Sequence, residues 1–129
     1  MSADFTFEFA GNYIRMQLPV DYEITPENRR QFWVAIGEAC NKYNCCRVLA
    51  ESPTPPKRNM RQTDSLKSAL EAAKVPGELR VAFFFKGYTT DKTTEFFINA
   101  SYNMGVRIEF FADSEEAIKW LTLDDEHVT

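Results

Sequence analysis

Three cysteines and one histidine are the residues of this chain best suited to metal or redox chemistry. Cys40 is followed by the adjacent pair Cys45-Cys46, and His127 stands near the end of the sequence. A structural zinc site takes four Cys or His ligands in tetrahedral reach, and a thioredoxin-like site takes C-x-x-C at a helix start. The sequence carries neither pattern. Cys40 is therefore expected to pack on a helix, and Cys45 and Cys46 to enter a strand. The glycine patterns of nucleotide binding, G-x-G-x-x-G and the P-loop, are missing from a chain with five glycines. Serine and cysteine nucleophiles have no imidazole base nearby in sequence, and Glu115-Glu116 suits the positive end of a helix. The expectation is a protein without a catalytic constellation and without a cofactor.

The richest remaining stretch is RVLAESPTPPKRNMRQTDSL, Arg47 to Leu66. Three prolines, Pro53, Pro55 and Pro56, hold part of it extended. Lys57, Arg58 and Arg61 give it positive charge within an otherwise acidic chain, and Ser52, Thr63 and Ser65 give it hydroxyls. A second candidate segment is KGYTTD, with Lys86, Tyr88 and Thr89 around the single glycine Gly87. Loops that leave the carboxyl ends of parallel strands gather on one edge, where such folds usually bind. Lys57, Arg58, Arg61, Lys86, Tyr88 and Thr89 are thus the candidate partner-binding residues.

What must position these segments is one domain of 129 residues, 44% hydrophobic and 26% charged, with eleven phenylalanines for a large core. A net charge of −4 argues against a nucleic-acid binder working through an overall positive field. MSADFTFEFAGN lacks the basic start and apolar run of a signal peptide, and no segment reaches the length of a membrane span. With an odd number of cysteines, these features predict a cytoplasmic protein.

FTFEF and YIRMQL alternate apolar and polar residues on either side of Gly11-Asn12, which predicts an opening β-hairpin. Thr25 as cap, Pro26 and Glu27 start a helix whose stripe is Phe32, Trp33, Ile36, Cys40 and Tyr43. CRVLAE is a short internal strand, and a helix follows from about Asp64 to Lys74, stopped at Pro76-Gly77. ELRVAFFFKG is apolar at both parities, as in a strand covered on two faces. KTTEFFINASYNM is a helix closed by Gly105, VRIEFFA a strand, and DSEEAIKWLT a helix capped by Asp113. The tail 124–129 is expected to fray. The order β-β-α-β-α-β-α-β-α predicts an α/β domain over 1–129 with a mostly parallel mixed sheet under helical cover. Its first strand has the exposure that permits edge pairing into a homodimer.

That order of elements, with NMGVRIEFFADSEEAIKWL (Asn103 to Leu121) preceded by LRVAFFFKG, resembles the STAS superfamily, and within it the small SpoIIAA-like proteins. The resemblance spans the chain in its elements and the last third in its residues. It implies a non-enzymatic bacterial regulatory domain that binds a protein partner, a kinase-like anti-sigma regulator, and is switched by phosphorylation of a serine after the third strand, at the start of the second helix. Ser52 matches that serine by strand position and Ser65 by helix position, so Ser52, Thr63 and Ser65 are the candidate phosphate acceptors. A second implication, from the likeness of this branch to lipid-carrying CRAL-TRIO domains, is a small apolar-ligand binder built on the phenylalanines.

Overall fold

The chain reverses direction first at a glycine-asparagine pair. Phe9 and Ile14 close the register of an antiparallel hairpin, and beyond them the Ala10 N–H donates to the Tyr13 carbonyl at 2.9 Å. Gly11 then takes φ +99°, a conformation open to glycine without a Cβ clash. The two strands are β1 (Thr6–Phe9) and β2 (Ile14–Gln17). This architecture is that of a computed structural model, which describes residues 5–20, 22, 25, 27–53, 62–75 and 77–123, with 62–65 described as backbone alone.

The first helix, α1 (Arg29–Tyr43), is preceded by a reciprocal box. The Thr25 N–H donates to Asn28 Oδ1 at 2.7 Å, and the Asn28 N–H donates to Thr25 Oγ1 at 3.3 Å. Thr25 therefore closes a turn ahead of the helix rather than capping it directly: the N-cap is Asn28, which makes no side-chain cap bond, and regular helix begins at Arg29. At the other end Asn44 adopts φ 51°, and the Cys45 N–H returns to the Cys40 carbonyl at 3.1 Å. This is a Schellman-type stop in which asparagine stands in for the usual glycine.

Next come β3 (Arg47–Ser52), α2 (Gln62–Ala73), β4 (Arg80–Phe85), α3 (Lys92–Asn103), β5 (Arg107–Phe111) and α4 (Ser114–Leu121). The order of elements is the one the hydrophobic periodicities predict. Helix α2 starts two residues before the expected Asp64, so Thr63 joins Asp64 and Ser65 inside its first turn. Asp91 caps α3 by accepting from the Thr94 N–H at 2.7 Å, and Asp113 caps α4 by accepting from the Glu116 N–H at 3.1 Å.

All five strands join one mixed sheet in the order β1-β2-β3-β4-β5, with β1 antiparallel and the other four parallel. Each of α1, α2 and α3 carries the chain one strand further in the same direction, so the three helices share one face. Their contacts show it: Phe32, Trp33, Ala69 and Phe97 pack with Ile14, Val48, Val81, Phe83 and Ile108 in one core. Helix α4 is no crossover. It folds back on the opposite face, where Ala117 and Leu121 cover Leu49 and Ala82. Strand β4 is thereby enclosed on both faces, as its apolar run predicts.

The phenylalanines fill this frame. Phe83 stacks on Phe32, Phe85 and Phe110 at centroid distances of 6.0, 6.0 and 4.8 Å, and Phe97 meets Phe110 at 6.1 Å. Helix α4 has eight residues and packs on β3, β4 and β5, and beside it lies the same face of β2. There Arg15 forks onto Glu51 through Nε and Nη2, the latter at 3.2 Å from Oε2. No described helix is long and apolar enough to cross a membrane.

Candidate functional site

The parallel strands give the molecule two rims. At the carboxyl rim, β3 and β4 end side by side: Ser52 and Phe85 are register partners. The proline-rich segment leaves the sheet directly after Ser52, and the Lys86–Asp91 turn leaves it directly after Phe85. Two adjacent parallel strands in register release their loops within about 5 Å of one another. The strand order never reverses, so there is no switch-point crevice of the doubly wound kind. The rim is a row of loops.

The turn after β4 is built from its glycine. Gly87 takes φ +77°, the Tyr88 N–H donates to the Phe85 carbonyl at 3.1 Å, and Lys86 and Thr89 stay exposed. The Tyr88 ring stacks on Phe110 at 5.5 Å, so it anchors the turn to the core while its edge stays half-exposed. Thr90 Oγ1 lies 3.3 Å from Glu95 Oε2, and the Asp91 cap fixes the start of α3. The backbone here is held at three points before any partner arrives.

Of the three candidate phosphate acceptors, Ser52 is buried, at 3% exposure. A kinase would reach its hydroxyl only if this strand end opened. Thr63 and Ser65 sit in the first turn of α2, where free N–H groups and the helix dipole favour a phosphate. Their side chains, and Lys57, Arg58 and Arg61, lie outside the described residues, as does His127.

The cysteines are free thiols. Cys40 is buried in α1, and burial first, then the neighbouring Cys46 and Cys45, pushes its thiol up to about 12. Such a thiol is not a thiolate at neutral pH and makes a poor nucleophile. Cys45 and Cys46 stop just short of β3, which begins at Arg47. Among the described residues no group of three or more Cys, His, Asp or Glu is arranged to hold a metal.

The amino rim carries what the sequence reading missed. Arg47, Arg80 and Arg107 are register partners at the first positions of β3, β4 and β5. Beside the first two opens a cavity of about 470 Å³, with Phe9, Asn12, Asn44 and Glu78 among its other lining residues. Arg80 is buried and donates to the Leu123 carbonyl at 2.9 Å and the Leu121 carbonyl at 3.4 Å, over the ring of Trp120. A signal for this row does exist in the sequence: each of the three strands opens with arginine followed by a β-branched residue, in C-R-V-L, L-R-V-A and V-R-I-E. Only the registration of the strands brings them together.

In comparisons with known proteins, no family model, curated protein or solved structure matches this chain.

Proposed function

We propose that this chain is a non-catalytic regulatory domain of STAS-like, SpoIIAA-like character that works by docking a protein partner on its carboxyl rim. The observation that carries it is the pairing of Ser52 with Phe85, which starts the proline-rich basic segment and the Gly87 turn from neighbouring strand ends. A partner with an acidic face would be steered by Lys57, Arg58, Arg61 and Lys86. Prolines in one segment and the Tyr88 anchor in the other reduce the ordering entropy that docking costs. The partner class implied by the resemblance is a kinase-like anti-sigma regulator in a bacterial cytoplasm. A phosphate placed on Thr63 or Ser65 would add about −1.5 to −2 charges at the α2 start and reset the rim's affinity for an acidic partner.

The test begins with in-cell crosslinking from a tagged chain to identify the partner. Binding is then measured by calorimetry for the wild type and for Lys57→Ser/Arg58→Ser/Arg61→Ser. The expected outcome is binding weakened about tenfold, with a melting temperature that stays nearly unchanged. Equal affinity of the two proteins would remove the rim from the account.

A further inference from the structure

We infer that the cavity at the amino rim is a binding site for a small zwitterion, a free metabolite that presents an oxyanion to Arg47 and Arg80 and an ammonium group to the Glu78 side.

The inference starts from a cost. Like charges placed directly across from one another on neighbouring strands destabilise a sheet. Here Arg47 and Arg80 are such partners, and Arg107 extends the row to a third strand, in a chain whose net charge is −4. Part of the cost is offset at Arg80, whose guanidinium meets the Leu121 carbonyl at the negative end of α4 and the Leu123 carbonyl just beyond it. Nothing comparable serves Arg47. Its side chain is half-buried in the cavity wall, and no hydrogen bond or ion pair joins its guanidinium to another described residue. A bidentate oxyanion is the partner a guanidinium fork is shaped for.

The rest of the lining narrows the ligand. Asn12 and Asn44 add amide donors and acceptors, which a lipid tail would leave unsatisfied. Asn44 also ends α1, so the negative pole of that helix faces the same space as the Glu78 carboxylate. The cavity is thus lined by both signs of charge, two guanidiniums together with a carboxylate and a helix carboxyl end. A polyanion would be repelled by the carboxylate and a simple cation by the guanidiniums. Its volume of about 470 Å³ lies within the usual range for small-molecule sites. Two walls are set by stiff turns, the Gly11-Asn12 hairpin and the Asn44 helix stop, so little ordering is left for binding to do.

The probes are phosphoethanolamine, inorganic phosphate and ethanolamine, titrated into the ¹⁵N-labelled full chain at constant ionic strength. The expected result is saturable shifts at the amides of Asn12, Cys46 and Arg47, strongest affinity for phosphoethanolamine, weaker for phosphate and none for ethanolamine. Arg47→Met keeps the apolar stem and should weaken both phosphate-bearing probes at least tenfold. Glu78→Gln, an exposed change that does not threaten folding, should weaken phosphoethanolamine while leaving phosphate binding intact or tighter. Shifts that fail to saturate, or that sodium chloride reproduces, overturn the inference. So does affinity indifferent to Arg47→Met, or co-sedimentation with phosphatidylethanolamine vesicles without binding of the free headgroup. None of these readouts depends on a protein partner at the opposite rim.

Discussion

Trp33 is the largest of the fully buried side chains and carries one polar atom into the core. Its Nε1–H donates to Ser68 Oγ at 2.8 Å, a bond that fixes α1 against α2 as apolar contact alone would not. Ser68→Ala leaves the indole donor without a partner in a dry site, and urea unfolding should show a loss of about 1–3 kcal/mol. Tyr22 presents the opposite case. Its ring packs edge-on against Phe5 at 5.2 Å, and its hydroxyl is buried with no hydrogen-bond partner among the described residues. Burial pushes the phenol up from 10.0 to about 12, as it pushes Cys40 up from 9.0 to about 12. Both groups hold their protons more tightly in the folded chain than in the unfolded one. The stability they contribute is therefore complete below about pH 9 and is lost as the pH rises toward 12. Melting temperatures across that window should fall, and Tyr22→Phe should flatten part of the fall without weakening the protein at pH 7.

Glycine is required for two reasons where α2 hands over to β4. Gly77 has φ +92°, and a Cβ placed there would lie 2.7 Å from the Cys46 sulfur. Gly105, at the end of α3, has φ +89° but nothing within 4 Å of such a Cβ. Gly105→Ala should cost about 1–2 kcal/mol, the left-handed strain alone. Gly77→Ala should cost more, and Cys46→Ala should recover the difference in the double variant, as thermal denaturation of the three proteins would show. The elements themselves were largely legible in sequence. Alternation in FTFEF and YIRMQL, the Asp113 cap and the two-parity apolar run of β4 are local signals, and local chemistry decides them. The face each helix covers was not legible. It follows from three crossovers of one hand and a fourth helix that folds back on the other face, which is a property of the whole connection. The gap between Thr25 and the first regular turn of α1 has a similar origin, since the Thr25–Asn28 box takes up the turn between them.

At the scale of the whole molecule, consecutive parallel order sorts function by rim. Every loop after one of the four parallel strands emerges on one side, and the starts of those strands lie on the other, together with the hairpin that follows antiparallel β1. The carboxyl rim was legible because its residues lie in two short stretches of sequence, Ser52–Ser65 and Lys86–Thr89. The amino rim was not, because Arg47, Arg80 and Arg107 are separated by whole helices and meet only through strand register. The same register gathers three arginines at the strand starts of a chain that is acidic as a whole. Two independent surfaces on one body would let a small ligand and a protein partner be bound together. The most direct measurement is hydrogen exchange of the chain alone and in complex with its crosslinked partner. The expected result is that segments 53–65 and 86–90 become protected together while 9–12 and 44–47 exchange as before. Protection confined to 9–12 and 44–47, with both carboxyl-rim segments unchanged, would contradict the account.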